Sequence, residues 1–183
     1  MNVLFITGSA RKDSVTAKIC DIVASAMAGS DITFMRPHDM NIEHCSGCGR
    51  CSSSGTCVKQ DDMHKIYDAV ERNDIIILAT PVYFSGPSSI MKQVIDRFQC
   101  VWIRDGCRKK NKVAGLIAVG GHRSPVFANT ISIAKALAMT VGAEWAGELV
   151  VGDTDGISEI SDDIVREAYS FGSRIVPKRP ERD

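Results

Sequence analysis

Ile75-Ile-Ile-Leu-Ala79 is an apolar run with no polar position inside it. A strand with one wet face alternates apolar and polar side chains. A run without alternation suits a strand covered on both faces, as at the centre of a parallel sheet. Val3-Leu-Phe-Ile6 and Val113-Ala-Gly-Leu-Ile-Ala-Val119 have the same character, while Ile32-Thr-Phe-Met35, ended by Pro37, and Trp145 to Val151 read as two further strands. Between the strands the apolar period becomes helical. Val15, Ile19, Ile22, Val23, Ala26 and Met27 form one face, with Gly29 placed to stop the helix; Met63, Ile66, Tyr67 and Val70 form a second, with Asp61 or Asp62 as cap. Ile90, Met91, Val94, Ile95 and Phe98 mark a third helix, and Ala134, Leu137, Ala138 and Val141 a fourth. Ile157, Ile160, Ile164, Val165, Ala168, Phe171 and Ile175 mark the last. Five strands alternating with five helices predict an α/β chain in which each right-handed crossover packs its helix back on the sheet, giving a three-layer doubly wound sandwich.

Composition narrows what such a fold does. At 183 residues, 44% hydrophobic and 24% charged, the chain is long enough for one domain with a substantial core; residues 1–176 are assigned to it, and Pro177-Lys-Arg-Pro-Glu-Arg-Asp183 to a mobile tail. Lys plus Arg equals Asp plus Glu at 22 each, so no net field favours nucleic acid or an anionic membrane. The basic run Arg108-Lys-Lys-Asn-Lys112 reads as a solvated turn. No stretch approaches the ~20 apolar residues of a membrane span, and the N-terminus lacks the basic start and small-residue cleavage site of a signal peptide. The expected location is the cytoplasm.

Four of the seven cysteines fall in Cys45-Ser-Gly-Cys48-Gly-Arg-Cys51-Ser-Ser-Ser-Gly-Thr-Cys57, a C-x2-C-x2-C-x5-C array within an aperiodic stretch from about 37 to 60. So long a loop without periodicity is a functional signal. Thiols at three-residue spacing converge on one small object when the backbone coils around it, and Gly47, Gly49 and Gly55 supply the necessary freedom. C-x2-C-x2-C is the ligand spacing of a bacterial iron–sulfur site, and Cys57 lies close enough to complete a [4Fe-4S] cluster locally. Zinc takes four cysteines too, usually as two pairs separated by a longer insert, and metal-free thiols are the remaining alternative. A disulfide set fits a reducing compartment poorly. Cys20 sits in a helical pattern as a small core residue, and Cys100 and Cys107 are too isolated to form a site alone.

Ligands of doubly wound sheets bind beyond the carboxyl ends of the strands, so the loops after the first, third and fourth strands are the candidates. Thr7-Gly-Ser-Ala-Arg-Lys-Asp-Ser-Val-Thr16 is rich in hydroxyls. Ser9, Ser14 and Thr16 can donate to an anion at the helix N-terminus, and Arg11 can fold over it; a plain N-cap at Asp13 or Ser14 is the alternative. There is no G-x4-G-K-[ST] and no G-x-G-x-x-G after the first strand, so a monophosphate fits better than a triphosphate or a dinucleotide. Thr80-Pro81-Val82-Tyr83-Phe84-Ser85-Gly86-Pro87-Ser88 offers apolar and aromatic surface with open backbone groups, suited to the edge of a flat heterocycle. Gly120-Gly121-His122-Arg123 permits close backbone approach.

These stretches together resemble the three FMN loops of flavodoxin-like NAD(P)H-dependent FMN and quinone reductases, and the Cys45, Cys48, Cys51 and Cys57 array resembles the iron–sulfur flavoprotein branch of that family. The resemblance covers most of the chain. It implies a five-stranded parallel sheet in the order 2-1-3-4-5. It implies FMN held by Ser9, Arg11, Ser14, Val15 and Thr16, by Pro81, Val82, Tyr83, Phe84, Ser85 and Gly86, and by Gly120 and Gly121. A [4Fe-4S] cluster on the four cysteines would pass single electrons to and from the flavin. His122 and Arg123 depart from the small and polar residues common after the paired glycines. The implied function is electron transfer between a one-electron carrier such as ferredoxin and a further acceptor. The alternatives are an NAD(P)H-dependent FMN or quinone reductase with a structural cysteine loop, and a non-enzymatic flavodoxin-like carrier or metal-binding module. Relatives of this kind assemble as dimers or tetramers, so a homodimer or homotetramer is expected.

Overall fold

The computed structural model describes residues 1–122, 125–157 and 159–176; Arg123 and the expected tail at 177–183 lie outside them. The apolar runs form β1 (Asn2–Thr7), β2 (Asp31–Met35), β3 (Ile75–Tyr83), β5 (Lys112–Val119) and β6 (Ala143–Val151), and a two-residue strand β4 (Gly86–Pro87) folds back antiparallel on β3. The parallel sheet runs β2-β1-β3-β5-β6, which is the expected order once the β4 stub is set aside. The period of two along the central strands sorts their side chains between two cores. Leu4, Ile6, Ile76, Leu78 and Leu116 face one side. Val3, Phe5, Ile75, Ile77 and Ile117 face the other. This double burial is why the runs show no polar alternation.

The described residues form seven α-helices: α1 (Val15–Ser25), α2 (Cys51–Ser54), α3 (Met63–Arg72), α4 (Ser89–Arg97), α5 (Gln99–Asp105), α6 (Ala128–Thr140) and α7 (Asp162–Ile175). Buried residues of α3, α4, α5 and α6 pack on the first face, and those of α1 and α7 on the second. Helices α1 and α7 come unusually close at Gly172, where an added Cβ would stand 2.4 Å from the Val23 carbonyl oxygen and 2.9 Å from Ala26 Cβ. Backbone cannot move aside as a side-chain tip can. Gly172→Ala is therefore expected to lower stability by about 1–3 kcal/mol, read as a lower urea midpoint; an unchanged midpoint would contradict this helix contact.

Several local expectations are corrected. Helix α5 was not foreseen beyond Phe98, and the cysteine stretch holds a 3-10 turn at Pro37–Asp39 and the one-turn helix α2. The side chain of Asp62 makes no cap bond to α3. Strand β3 runs through Pro81, Val82 and Tyr83, so these belong to its end rather than to a loop; Pro81 pairs with Val119. The basic run is only partly solvated. Lys112 is buried and its Nζ donates to the carbonyls of Glu71 and Asn73, at 2.8 and 2.7 Å, while Lys110 pairs with Asp105 and Glu71. Two unpaired carbonyls at a helix end give an ammonium the partners that make its burial tolerable.

Candidate functional site

Three loops meet at the carboxyl edge, and the first two are joined by hydrogen bonds. Gly8 N donates to Ala79 O at 2.7 Å, continuing the β1–β3 ladder. Ser88 Oγ, the N-cap of α4, accepts from Met91 N and donates to Gly8 O at 2.7 Å, while Thr80 Oγ1 accepts from Ser88 N at 3.0 Å. A Cβ at Gly8 would come within 2.7 Å of both Met91 Cβ and Ser88 Oγ, so only glycine allows this seam. Neither Thr80 nor Ser88 was singled out from sequence, although both are fully buried polar residues beside the loop.

In the first loop Ser9, Ser14 and Thr16 are buried and Arg11 is exposed. Ser14 is the N-cap of α1: its Oγ accepts from Ala17 N at 3.2 Å and lies 2.9 Å from Ser9 Oγ. The cap and the anion cradle weighed above are thus compatible. Ser14 takes the N–H of Ala17, and the earlier N–H groups of the turn, those of Val15 and Thr16, have no intrahelical acceptor. Arg36 Nη2 fastens this loop from outside by donating to Ala10 O at 3.1 Å.

In the second loop the chain reverses between β3 and β4 with Phe84 and Ser85 both at positive φ, 49° and 61°. Neither is glycine, so the turn is strained. It leaves Tyr83 exposed and Phe84 fully exposed at the site. The third loop begins where Gly120 N donates to Val151 O at 2.8 Å. A segment that carries no motif, residues 153–155, closes over it. Thr154 Oγ1 donates to Gly120 O at 3.0 Å, and Asp155 N donates to Gly121 O at 3.1 Å. Packing is tight here as well, since a Cβ at Gly120 would meet Pro125 Cβ at 2.5 Å.

The cysteine stretch leaves the same edge after β2 and then follows α4 along its length. Pro37, Met40 and Ile42 lie with Ile90, Gln93 and Val94 around one surface cavity, and Gln93 Nε2 donates to Ile42 O. At the far end Arg97 Nη1 donates to Glu43 O at 2.7 Å. Helix α4 has nine residues, so this path carries the cysteines about 13 Å from the first two loops. Cys45, Cys48, Cys51 and Cys57 all line one cavity of about 230 Å³, closed by Gln99 and Ile103 of α5. All four are free thiols, with Cys45 and Cys48 exposed and Cys51 and Cys57 half-buried. Burial pushes the Cys51 thiol up, and so do the neighbouring charges of Cys100, Cys57 and Cys48. The backbone N–H of Arg50 holds Cys48 below its ordinary value. Such crowded thiols favour a bound cation, which stabilises the thiolate form.

Among the described residues no three His, Cys, Asp or Glu side chains are placed to hold a single metal ion. The four thiols instead stand around a cavity. A cubane takes its thiolates at four separate irons, so a rim of four thiols fits a [4Fe-4S] core better than it fits one tetrahedral zinc. The structure also brings up a residue that the sequence had set aside. Cys100 is buried, with its Sγ 3.4 Å from Tyr67 Oη, and it adds to the charge felt by Cys51. Cys20 is part of the opposite core, where burial raises its thiol to about 12.

Fold and loops together define a doubly wound α/β protein with a mononucleotide-type site, extended by a four-cysteine cavity. The family model for NADPH-dependent FMN reductase matches residues 1–153. An iron–sulfur flavoprotein of Archaeoglobus fulgidus is 30% identical over 96% of this chain and 79% of its own. One of Methanocaldococcus jannaschii is 35% identical over 68% of this chain, and that match spans 64% of the relative's length. A third, from Methanosarcina thermophila, is 29% identical over 88% of this chain and 82% of its own. The chain belongs to the iron–sulfur flavoprotein branch of the NADPH-dependent FMN reductase family, a family of flavin-dependent oxidoreductases. A solved flavone reductase superposes with a TM-score of 0.73 at 21% identity, covering 96% of this chain and 62% of that one. An apo NADH:FMN oxidoreductase gives 0.67 at 17%, covering 98% and 91%. At these identities the likeness establishes the fold. No helix among the described residues is long and apolar enough to cross a membrane.

Proposed function

We propose that this chain is an FMN-dependent electron-transfer protein with a [4Fe-4S] cluster on Cys45, Cys48, Cys51 and Cys57, working between a one-electron carrier of the ferredoxin kind and a further acceptor. The observation that carries the reading is the gathering of all four thiols on one cavity in a chain of this family. Bound FMN exchanges one or two electrons and a cubane exchanges one, so the pair joins one-electron to two-electron chemistry. The chain's own residues bind and orient. Ser9, Ser14, Val15 and Thr16 at the α1 N-terminus, with Arg11, hold the FMN phosphate. Residues 81–86 and the paired Gly120 and Gly121 hold the ring, with the exposed Tyr83 and Phe84 supplying apolar cover. No side-chain acid is needed for electron transfer.

The length of α4 supports one further element. The displacement of the cysteine cavity along that helix, away from the chain's own flavin loops, favours transfer to a flavin of a second subunit in a homodimer or homotetramer. The strained, exposed Phe84 turn is surface that such an assembly covers.

The competing reading is direct reduction by NADPH with the cysteines structural. Mixing the oxidised holoprotein anaerobically with NADPH, and separately with a reduced low-potential carrier, separates the two. Fast bleaching by the carrier and slow bleaching by NADPH is expected; fast bleaching by NADPH alone would establish the competitor. The phosphate assignment has its own measure. Arg11 is exposed, so Arg11→Ala leaves the core intact and is expected to weaken FMN by about 0.3–1 kcal/mol or somewhat more, while riboflavin affinity stays unchanged. Equal weakening of both ligands would place Arg11 away from the phosphate.

A further inference from the structure

The cover over the third loop carries one side chain that the flavin reading above does not use. Strand β6 ends at Val151, and the chain then turns back over Gly120 and Gly121 through Asp153, whose φ is 56°. Asp153 N donates to His122 O at 2.9 Å, Thr154 Oγ1 to Gly120 O at 3.0 Å and Asp155 N to Gly121 O at 3.1 Å. Three consecutive residues are fixed on the loop by bonds that do not depend on the Asp155 side chain. That side chain lies on Gly121, where an added Cβ would stand 2.0 Å from Asp155 Oδ1 and 2.4 Å from its Cγ. The space left by the missing Cβ of Gly121 is therefore taken by a carboxylate.

Strand register puts this carboxylate beside the ring loop. Pro81 pairs with Val119, so Gly120 and Gly121 leave β5 level with Val82 and Tyr83 at the end of β3, one strand spacing of ~4.8 Å away. Asp155 is exposed, and among the described residues no salt bridge involves it. Neither core packing nor ion pairing accounts for its position on the glycine.

We propose that Asp155 faces the bound flavin ring beside Gly121 and holds the reduction potential of that ring down. The inference rests on the assignment of Gly120 and Gly121 to the ring. Two electrons, delivered one at a time by the carrier, and one proton from solvent convert the neutral oxidised ring to its anionic reduced form at neutral pH. A fixed negative charge at the ring edge opposes the charge gained, and does so more strongly where the ring has displaced water. The lowered potential makes the reduced flavin a stronger donor to the further acceptor.

The test uses anaerobically prepared holoprotein, with FMN content measured on each sample before a reductive titration of the flavin against a reference dye. Asp155→Asn keeps the side-chain shape and the backbone bonds and loses the charge; Asp155→Glu keeps the charge. The equilibrium constant for two-electron reduction is expected to rise about tenfold in Asp155→Asn, about 30 mV for a two-electron couple, and to stay close to wild type in Asp155→Glu. Asp155→Ala removes the charge with a different shape and is expected to rise with Asp155→Asn. A merely structural role would loosen the cover instead, lowering the affinity for oxidised and reduced FMN alike with no rise in potential. An unchanged or lower potential in FMN-loaded Asp155→Asn or Asp155→Ala would overturn the proposal, as would an equal rise in Asp155→Glu. Wild-type protein that binds no FMN would defeat the flavin reading itself, a result distinct from unshifted potentials in FMN-loaded variants.

Discussion

Cys45→Ala and Cys48→Ala are each expected to leave anaerobically prepared protein with its fold and FMN but without an intact four-iron cluster. These two cysteines make the sharper test because both are exposed and neither contributes to a core. Their removal takes no side chain out of a hydrophobic core, so loss of iron in them reports ligation. Cys51 and Cys57 pack against the α3–α5 core, and replacing them adds a packing cost to the loss of a ligand. Visible absorbance from the cluster, labile sulfide and a reduced-state paramagnetic signal are the readouts. Full iron and sulfide in both exposed variants would remove Cys45 and Cys48 from the ligand set.

Arg97→Ala carries the largest stability effect expected of a single change here. Its ion pair with Asp61 is almost wholly excluded from solvent, and removing one member leaves the other charged and unpaired, at a cost of about 3–5 kcal/mol. Glu43 also loses the donor to its carbonyl. Urea denaturation of the reduced, metal-free protein measures the change without contribution from cofactors; a loss under about 1 kcal/mol, the size of a surface pair, would contradict the burial of this pair. Acid provides a second check. Burial alone would raise the Asp61 pKa, but Arg97 and the N–H groups of Glu43 and Met63 hold it down to about 2. A folded-state pKa below the unfolded one means that the contribution is complete above about pH 4 and fades as pH falls toward 2. The stability gap between wild type and Arg97→Ala is therefore expected to narrow over that window.

The layers were legible because the isoleucines of residues 75–77 and their counterparts in β1 and β5 carry a pattern that only double burial explains, whereas the strand order came from the family resemblance. The gathering of the four cysteines around one cavity was legible from their close spacing. What sequence left unread has a common cause. Periodicity identifies which face of an element is apolar, yet not which charged residue will be taken inside with a partner distant in sequence. Asp61, read with Asp62 as a candidate cap, does accept from Met63 N at the start of α3, and what periodicity left out is its ion pair with Arg97, 36 residues away. Lys112 read as solvated and proved to cap α3 from below. The cover over Gly120 and Gly121 was invisible for a different reason: residues 153–155 act largely through backbone groups, which every sequence possesses. Cys100 looked isolated because its neighbours Tyr67 and Cys51 come from other elements. Helix α5 was lost between the apolar pattern ending at Phe98 and the basic run beginning at Arg108, being only seven residues long.

The most direct measurement is quantitation of FMN, iron, zinc and acid-labile sulfide on one anaerobically purified sample. The account predicts one FMN, about four irons and about four sulfides per chain. Stoichiometric zinc with no labile sulfide, in protein that still binds FMN, would contradict it.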